Sequence, residues 1–119
     1  MKTLNLFFAT ALILLCANAF AQDPLKAAPE VYRKAILDNE SVRVIEIEFA
    51  IGQSAATHSH PNHFAYITQG GQLTITSADG KAQVIDAKAG EIFWMDATTH
   101  STKNTGTTVV KAIVTELKK

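Results

Sequence analysis

Thr57-His58-Ser59-His60-Pro61-Asn62-His63-Phe64-Ala65-Tyr66-Ile67-Thr68-Gln69-Gly70-Gly71 holds three of the chain's 4 histidines and a run of aromatic and β-branched residues. Side chains at i and i+2 of a strand share a face, so His58 and His60 can address one centre. His63 has the opposite parity by counting, but Pro61-Asn62 bends the chain and can bring it back. His63 to Thr68 reads as a strand, and Gly70-Gly71 ends it.

The same texture continues on both sides. Upstream, Arg43, Glu46 and Glu48 alternate with Ile45, Ile47 and Phe49 across Ser41 to Phe49. The parity breaks at Val44-Ile45, which predicts a bulge or burial on both faces. Downstream, Leu73 and Ile75 alternate with Thr74 and Thr76, and Asp79-Gly80 predicts a type I′ hairpin. Gln83 to Asp86 returns, Ala89-Gly90 turns again, and Ile92 to Met95 and Val109 to Leu117 complete the set. Short strands at roughly 8 to 12 residue spacing, with no convincing helix, indicate an antiparallel sandwich or barrel. Glu30 to Leu37 fits either a helix or a strand, and strand is the reading taken.

The beginning of the chain has a different character. Met1-Lys2-Thr3 is a short positive start, Leu4 to Leu15 is almost wholly apolar, and Ala19-Phe20-Ala21 sets small residues at a cleavage site. Residues 1–21 therefore read as a secretory signal peptide cut between Ala21 and Gln22, followed by an extended arm over 22–30 that carries Pro24 and Pro29. The apolar run is well short of the roughly 18 to 20 residues of a spanning helix, so no membrane association is expected once the leader is removed. The expected destination is the periplasm. Cys16, the only cysteine, leaves with the leader, so the remainder must stabilise itself through its core, a metal or a partner subunit. Leu15 is too bulky for Cys16 to be a lipid-modified terminus. Eleven basic residues balance 11 acidic ones, and no basic stripe is present, which argues against nucleic acid as a partner.

Neutral imidazole is the commonest protein ligand for first-row metals. His58 and His60, with His63 if the turn returns it and His100 if another strand delivers it, would form a set of three or four. Exposed loops also gather histidines, so spacing alone leaves both readings open.

Gly52, His58-Ser59-His60 and Gly70 resemble the first motif of the cupin family, in which a glycine precedes a His-x-His pair and a Glu and a Gly follow. Gly90-Glu91-Ile92-Phe93-Trp94-Met95-Asp96-Ala97-Thr98-Thr99-His100-Ser101-Thr102-Lys103-Asn104 resembles the second, which a His and then an Asn close. Asp38 to Val44, His58-Ser59-His60-Pro61-Asn62-His63, and Trp94 six residues before His100 look more narrowly like the small cupins labelled β-alanine degradation proteins. The resemblance implies an all-β fold, a small antiparallel jelly-roll β-barrel over 31–119 behind the signal peptide. It also implies metal ligation by His58, His60 and His100.

Two positions depart from the pattern. His63 stands where many cupins have a metal-binding Glu, which would make the set four imidazoles without a carboxylate. Such a neutral set suits a divalent transition metal (iron, nickel, zinc, copper or manganese) and leaves the ion's charge uncompensated. Asp96 and Thr98 replace the Pro and Gly of the usual turn before His100. Tyr66, Gln72 and Trp94 are the candidate substrate-binding residues, and Asn104 reads as structural. Three functions follow: a metal-dependent enzyme, dioxygenase-like or related, acting on a small organic molecule; a non-catalytic module binding a small ligand or metal; or a structural cupin. A homodimer paired through edge strands is expected.

Overall fold

The computed structural model describes residues 22–119, so the expected signal peptide lies outside the described residues. Nine strands follow a single helical turn, α1 (Pro24–Ala27): β1 (Tyr32–Asp38), β2 (Val42–Phe49), β3 (Ser54–His60), β4 (His63–Gln69), β5 (Gly71–Ser77), β6 (Ala82–Ala87), β7 (Ile92–Met95), β8 (Thr98–Asn104) and β9 (Val110–Leu117). They form a five-stranded sheet in the order β1-β2-β9-β4-β7 and a four-stranded sheet in the order β3-β8-β5-β6, and every pairing is antiparallel. The antiparallel all-β expectation holds, with a correction: the two sheets are not closed into a barrel. Among the described residues no ladder joins them, because the chain changes sheets at tight corners where it turns instead of continuing to pair.

Period-2 alternation builds the interior. Ile45, Ile47 and Phe49 of β2 and Val110, Ala112 and Val114 of β9 are all buried, and they meet Ala55 and Leu73 of the opposite sheet in one core. The β2–β9 register runs unbroken through Val44↔Thr115 and Ile45↔Val114. At the parity break Ile45 is buried and Val44 half-buried on the other face, with no bulge in β2; the extra residue lies opposite them in β1, between Ala35 and Leu37.

The hairpin after β5 also differs from expectation. Only Gly80 has positive φ (88°), and its N–H donates to the Ser77 carbonyl over 2.9 Å. Asp79 stays at negative φ, so the connection is a turn closed by a left-handed glycine, the three-residue alternative to type I′. The arm is not extended either. Asp23 caps α1 by accepting from the Leu25 N–H at 2.9 Å, and Pro24 supplies the preset first helical position. Just before it, the Gln22 carbonyl accepts from the Ser59 N–H at 2.8 Å, covering part of the edge of β3.

Gly70 is the sole residue between β4 in one sheet and β5 in the other. A Cβ there would come within 2.5 Å of the Ala87 carbonyl oxygen, a backbone atom that cannot swing aside. Gly70→Ala should therefore lower stability by about 1–3 kcal/mol in urea unfolding, as overpacking does, and an unchanged midpoint would contradict this account of the corner.

Candidate metal centre

The four histidines meet inside the sandwich. His58 and His100 are direct cross-strand partners on β3 and β8. This pairing depends on an irregularity between Ala55 and His58, where β3 uses one more residue than β8. Ala55 is buried, and without the extra residue His58 would face outward; the bulge turns it in. His60 follows two residues later on the same face. His63 opens β4, which belongs to the other sheet, so counting parity across Pro61-Asn62 does not apply to it. It faces His60 across the interior, the rings stacked at 4.3 Å between centroids. All four are buried, with exposures of 0 to 4%.

Hydrogen bonds at Nδ1 decide how these rings point. His58 Nδ1 lies 2.6 Å from the Ala56 carbonyl, inside the bulge, and His63 Nδ1 lies 2.8 Å from the Pro61 carbonyl. His60 Nδ1 lies 2.8 Å from Glu116 Oε2. Carbonyl and carboxylate oxygens only accept, so each Nδ1 carries the hydrogen and each Nε2 of a neutral ring keeps a lone pair. The candidate ligand atoms of His58, His60 and His100 lie within 4.8 Å of one another. His63 stands beside this triad, 6.3 Å from His100 between ring centroids.

Four residues outside the two cupin motifs complete the surroundings. The Tyr32 hydroxyl lies 3.0 Å from His58 Nε2 and 3.1 Å from His60 Nε2. Glu116 also binds Arg43 (2.6 Å), which binds Asp23 (2.6 Å) at the head of α1. A sequence signal for two of these residues existed. Glu116 continues the inward parity of Val110, Ala112 and Val114, and Arg43 that of Ile45, Ile47 and Phe49; the register sets them opposite each other.

Burial, reinforced by the neighbouring histidines, pulls His100 down to about 3. Burial likewise brings His58 down to about 4, with the bond to the Ala56 carbonyl opposing it, and burial, reinforced by the neighbouring His60 ring, lowers His63. Burial alone would raise Glu116, but the hydrogen bonds from His60 and Arg43 outweigh it and hold the carboxyl below its ordinary range. His58 and His100 are thus neutral lone-pair donors at physiological pH. Among the described residues, His100 Nε2 is a buried side-chain atom with no hydrogen-bond partner. A buried polar atom left unpaired costs about 1–3 kcal/mol. Imidazole nitrogens gathered around that orphan fit a transition-metal ion by donor type and by number.

A cavity of about 50 Å³ adjoins His63 and His100, walled mainly by apolar residues such as Phe49, Ile67 and Leu73. A wider cleft of about 410 Å³ shares His100, Phe93 and Met95 with it and opens past Trp94 and Asp96. Of the candidate substrate residues, Trp94 reaches this mouth, half-exposed, with its indole N–H donating to Asp96 at 3.0 Å. Tyr66 alternates with inward Ala65 and Ile67 and stands on the outer face. Gln72 lines a separate depression and accepts from Thr105 at 3.1 Å. The turn at Asp96-Ala97 forms without Pro or Gly, helped by Asn62, whose side chain accepts from the Ala97 N–H at 2.8 Å. Asn104 is buried and ties three backbone groups, of Phe49, Gly106 and Thr108.

The cupin domain family model matches residues 45–116, the span that contains all four histidines. The chain belongs to the cupin family. Solved cupins are similar in fold. A cupin domain from Bordetella pertussis Tohama I is 22% identical with a TM-score of 0.66, over 72% of this chain and 91% of that one. An RmlC-like cupin family protein with a double-stranded β-helix fold, from Methanocaldococcus jannaschii, is 16% identical with a TM-score of 0.59, over 71% and 76%. A cupin superfamily protein from Desulfitobacterium hafniense DCB-2 is 22% identical with a TM-score of 0.57, over 72% and 75%. No curated protein matches the chain.

The neutral histidines make the metal-free cupin acid-sensitive. Below the ordinary histidine value of 6.5 the unfolded chain takes up protons that folded His58 and His100 refuse until about 4 and 3. The unfolded state then binds more protons, so stability falls with pH. The thermal midpoint of the metal-free protein should decline from pH 6.5 to about 5, above the carboxylate range near 4. His100→Gln should flatten the slope, and a level wild-type profile over that window would contradict the assignment.

Proposed function

We propose that this protein is an exported, periplasmic cupin that holds one divalent transition-metal ion on His58, His60 and His100, and that acts there on a small organic molecule. His63 is the fourth imidazole of the set. The observation that carries the reading is the buried, unpartnered Nε2 of His100 beside the nitrogens of His58 and His60. An ion bound there supplies Lewis acidity and, for iron, copper, nickel or manganese, one-electron chemistry. The chain's own residues do the rest. The apolar cavity receives the body of the ligand and excludes water, and the cleft past Trp94 and Asp96 is its route in. Among the described residues lining the cavity, none is Asp, Glu or Lys, which favours dioxygenase-like chemistry over hydrolysis by a carboxylate or lysine base.

The cavity's small volume, about 50 Å³, supports a second reading, a module that binds metal or a small ligand without turning it over. Either reading accommodates the likeness to the β-alanine degradation cupins. A homodimer belongs to the same proposal, supported by edge strand β7, which exposes Ile92 at 64% and Trp94 at 55%.

Metal analysis of the purified protein is expected to find about one ion per chain, with His58→Ala and His100→Ala losing most of it; less than a tenth of an ion in wild type would refute the first reading and the metal form of the second. Oxygen uptake by the loaded protein with small carboxylates and diketones separates enzyme from binder. Glu116→Gln keeps the hydrogen bond's shape but weakens the hold on His60, so metal affinity should drop about 10–100-fold; isothermal titration showing no change would remove Glu116 from the site.

A further inference from the structure

We propose that Tyr32 is a ligand of this metal centre, its phenolate oxygen joining the nitrogens of His58, His60 and His100. The inference rests on the metal reading above and adds to it an anionic donor from outside both cupin motifs.

Hydrogen-bond chemistry argues first. Two imidazole nitrogens, Nε2 of His58 and Nε2 of His60, approach the same hydroxyl, at 3.0 and 3.1 Å, and the bond to the Ala56 carbonyl leaves a lone pair on Nε2 of neutral His58. A phenol has one hydrogen and can satisfy one of them. Among the described residues His100 Nε2 has no hydrogen-bond partner at all. One hydroxyl hydrogen therefore cannot serve all three imidazole nitrogens, whereas a cation set among the nitrogens and the oxygen engages each of them.

Geometry argues second. With metal–ligand bonds of about 2.0–2.1 Å, two ligands at right angles around one ion stand about 3 Å apart. The Tyr32 oxygen holds that spacing to two imidazole nitrogens simultaneously. The side chain is 4% exposed, its backbone N–H donates to the Ala28 carbonyl at 2.9 Å, and it pairs with Ile47 of β2, so the oxygen is held in place before any ion arrives.

Charge argues third. Burial and then the Glu116 carboxylate push the Tyr32 phenol up from its ordinary value, so the hydroxyl keeps its proton until an ion displaces it, and the phenolate then gives the set one directly bound anionic donor. On ligation the O–H bond is replaced by an oxygen–metal bond and one proton leaves to solvent. Such a hard anionic donor suits Cu(II) or Fe(III).

The test is Cu(II) added to the metal-free protein, followed by visible absorption and by titration. Wild type should bind copper with a phenolate-to-copper charge-transfer band. Tyr32→Phe keeps the ring and should lose the band and about 10–100-fold of affinity, while Tyr66→Phe, altering the only other tyrosine, should keep both. Stoichiometric copper without the band in wild type, or a band that survives in Tyr32→Phe, overturns the assignment of Tyr32 and leaves the histidine site standing. Failure of wild type to bind copper, iron or zinc overturns both.

Discussion

Glu116 is 2% exposed, and its carboxylate is held between the guanidinium of Arg43 and the ring of His60. A charge this deep is tolerated only when paired and hydrogen-bonded, and removing one partner of a buried pair costs roughly 3–5 kcal/mol. Meeting that requirement involves much of the fold. Arg43 must be opposite Glu116, which demands the β2–β9 register, and His60 must end β3 where its ring can cross to the other sheet. Asp23 must reach Arg43, which draws α1 against the sandwich. The same carboxylate fixes the His60 ring by taking its Nδ1 hydrogen and leaves Nε2 for the interior. Core ion pairing and orientation of the candidate metal ligand are one interaction.

Backbone carbonyls orient His58 and His63. His58 takes the Ala56 carbonyl inside the β3 bulge and His63 takes the Pro61 carbonyl at the corner. In each case the irregularity that turns the side chain inward also supplies the acceptor that points it. Bulges and corners are where carbonyls escape the ladders and become free to accept from a side chain. The acceptors differ in consequence. A carbonyl leaves its ring neutral in surroundings that resist charge, whereas Glu116 gives His60 a carboxylate behind it. The donor set taken to be free of carboxylates therefore has one at one remove.

Facing that set is an interior that changes from polar to apolar within a few residues. His63 and His100 lie at the boundary, with Phe93 and Met95 continuing from the inner cavity to the outer cleft. The mouth lies where β7 gives way to the Asp96-Ala97 turn and β8, facing Ser77 of β5 and Gln83 of β6. A small apolar space behind a group of lone-pair donors suits a ligand that is largely apolar with one polar end.

By itself, the sequence determined the strand texture, the antiparallel all-β class, and the concentration of histidines in two segments, because period-2 alternation and turn residues act locally. It also placed His58 and His60 on one face, since two residues of one strand share a face whatever lies around them. Tertiary structure decided everything that depends on register or on a change of sheet. The separation into two unclosed sheets, the facing of His63, the bulge that turns His58 inward, and the distance of Tyr66 and Gln72 from the histidines could not be obtained by counting along the chain. Nor could the partnership of Glu116 with His60, or of Tyr32 with two histidines. Parity belongs to one strand, whereas convergence on a centre belongs to several strands and to the corners that bring them together.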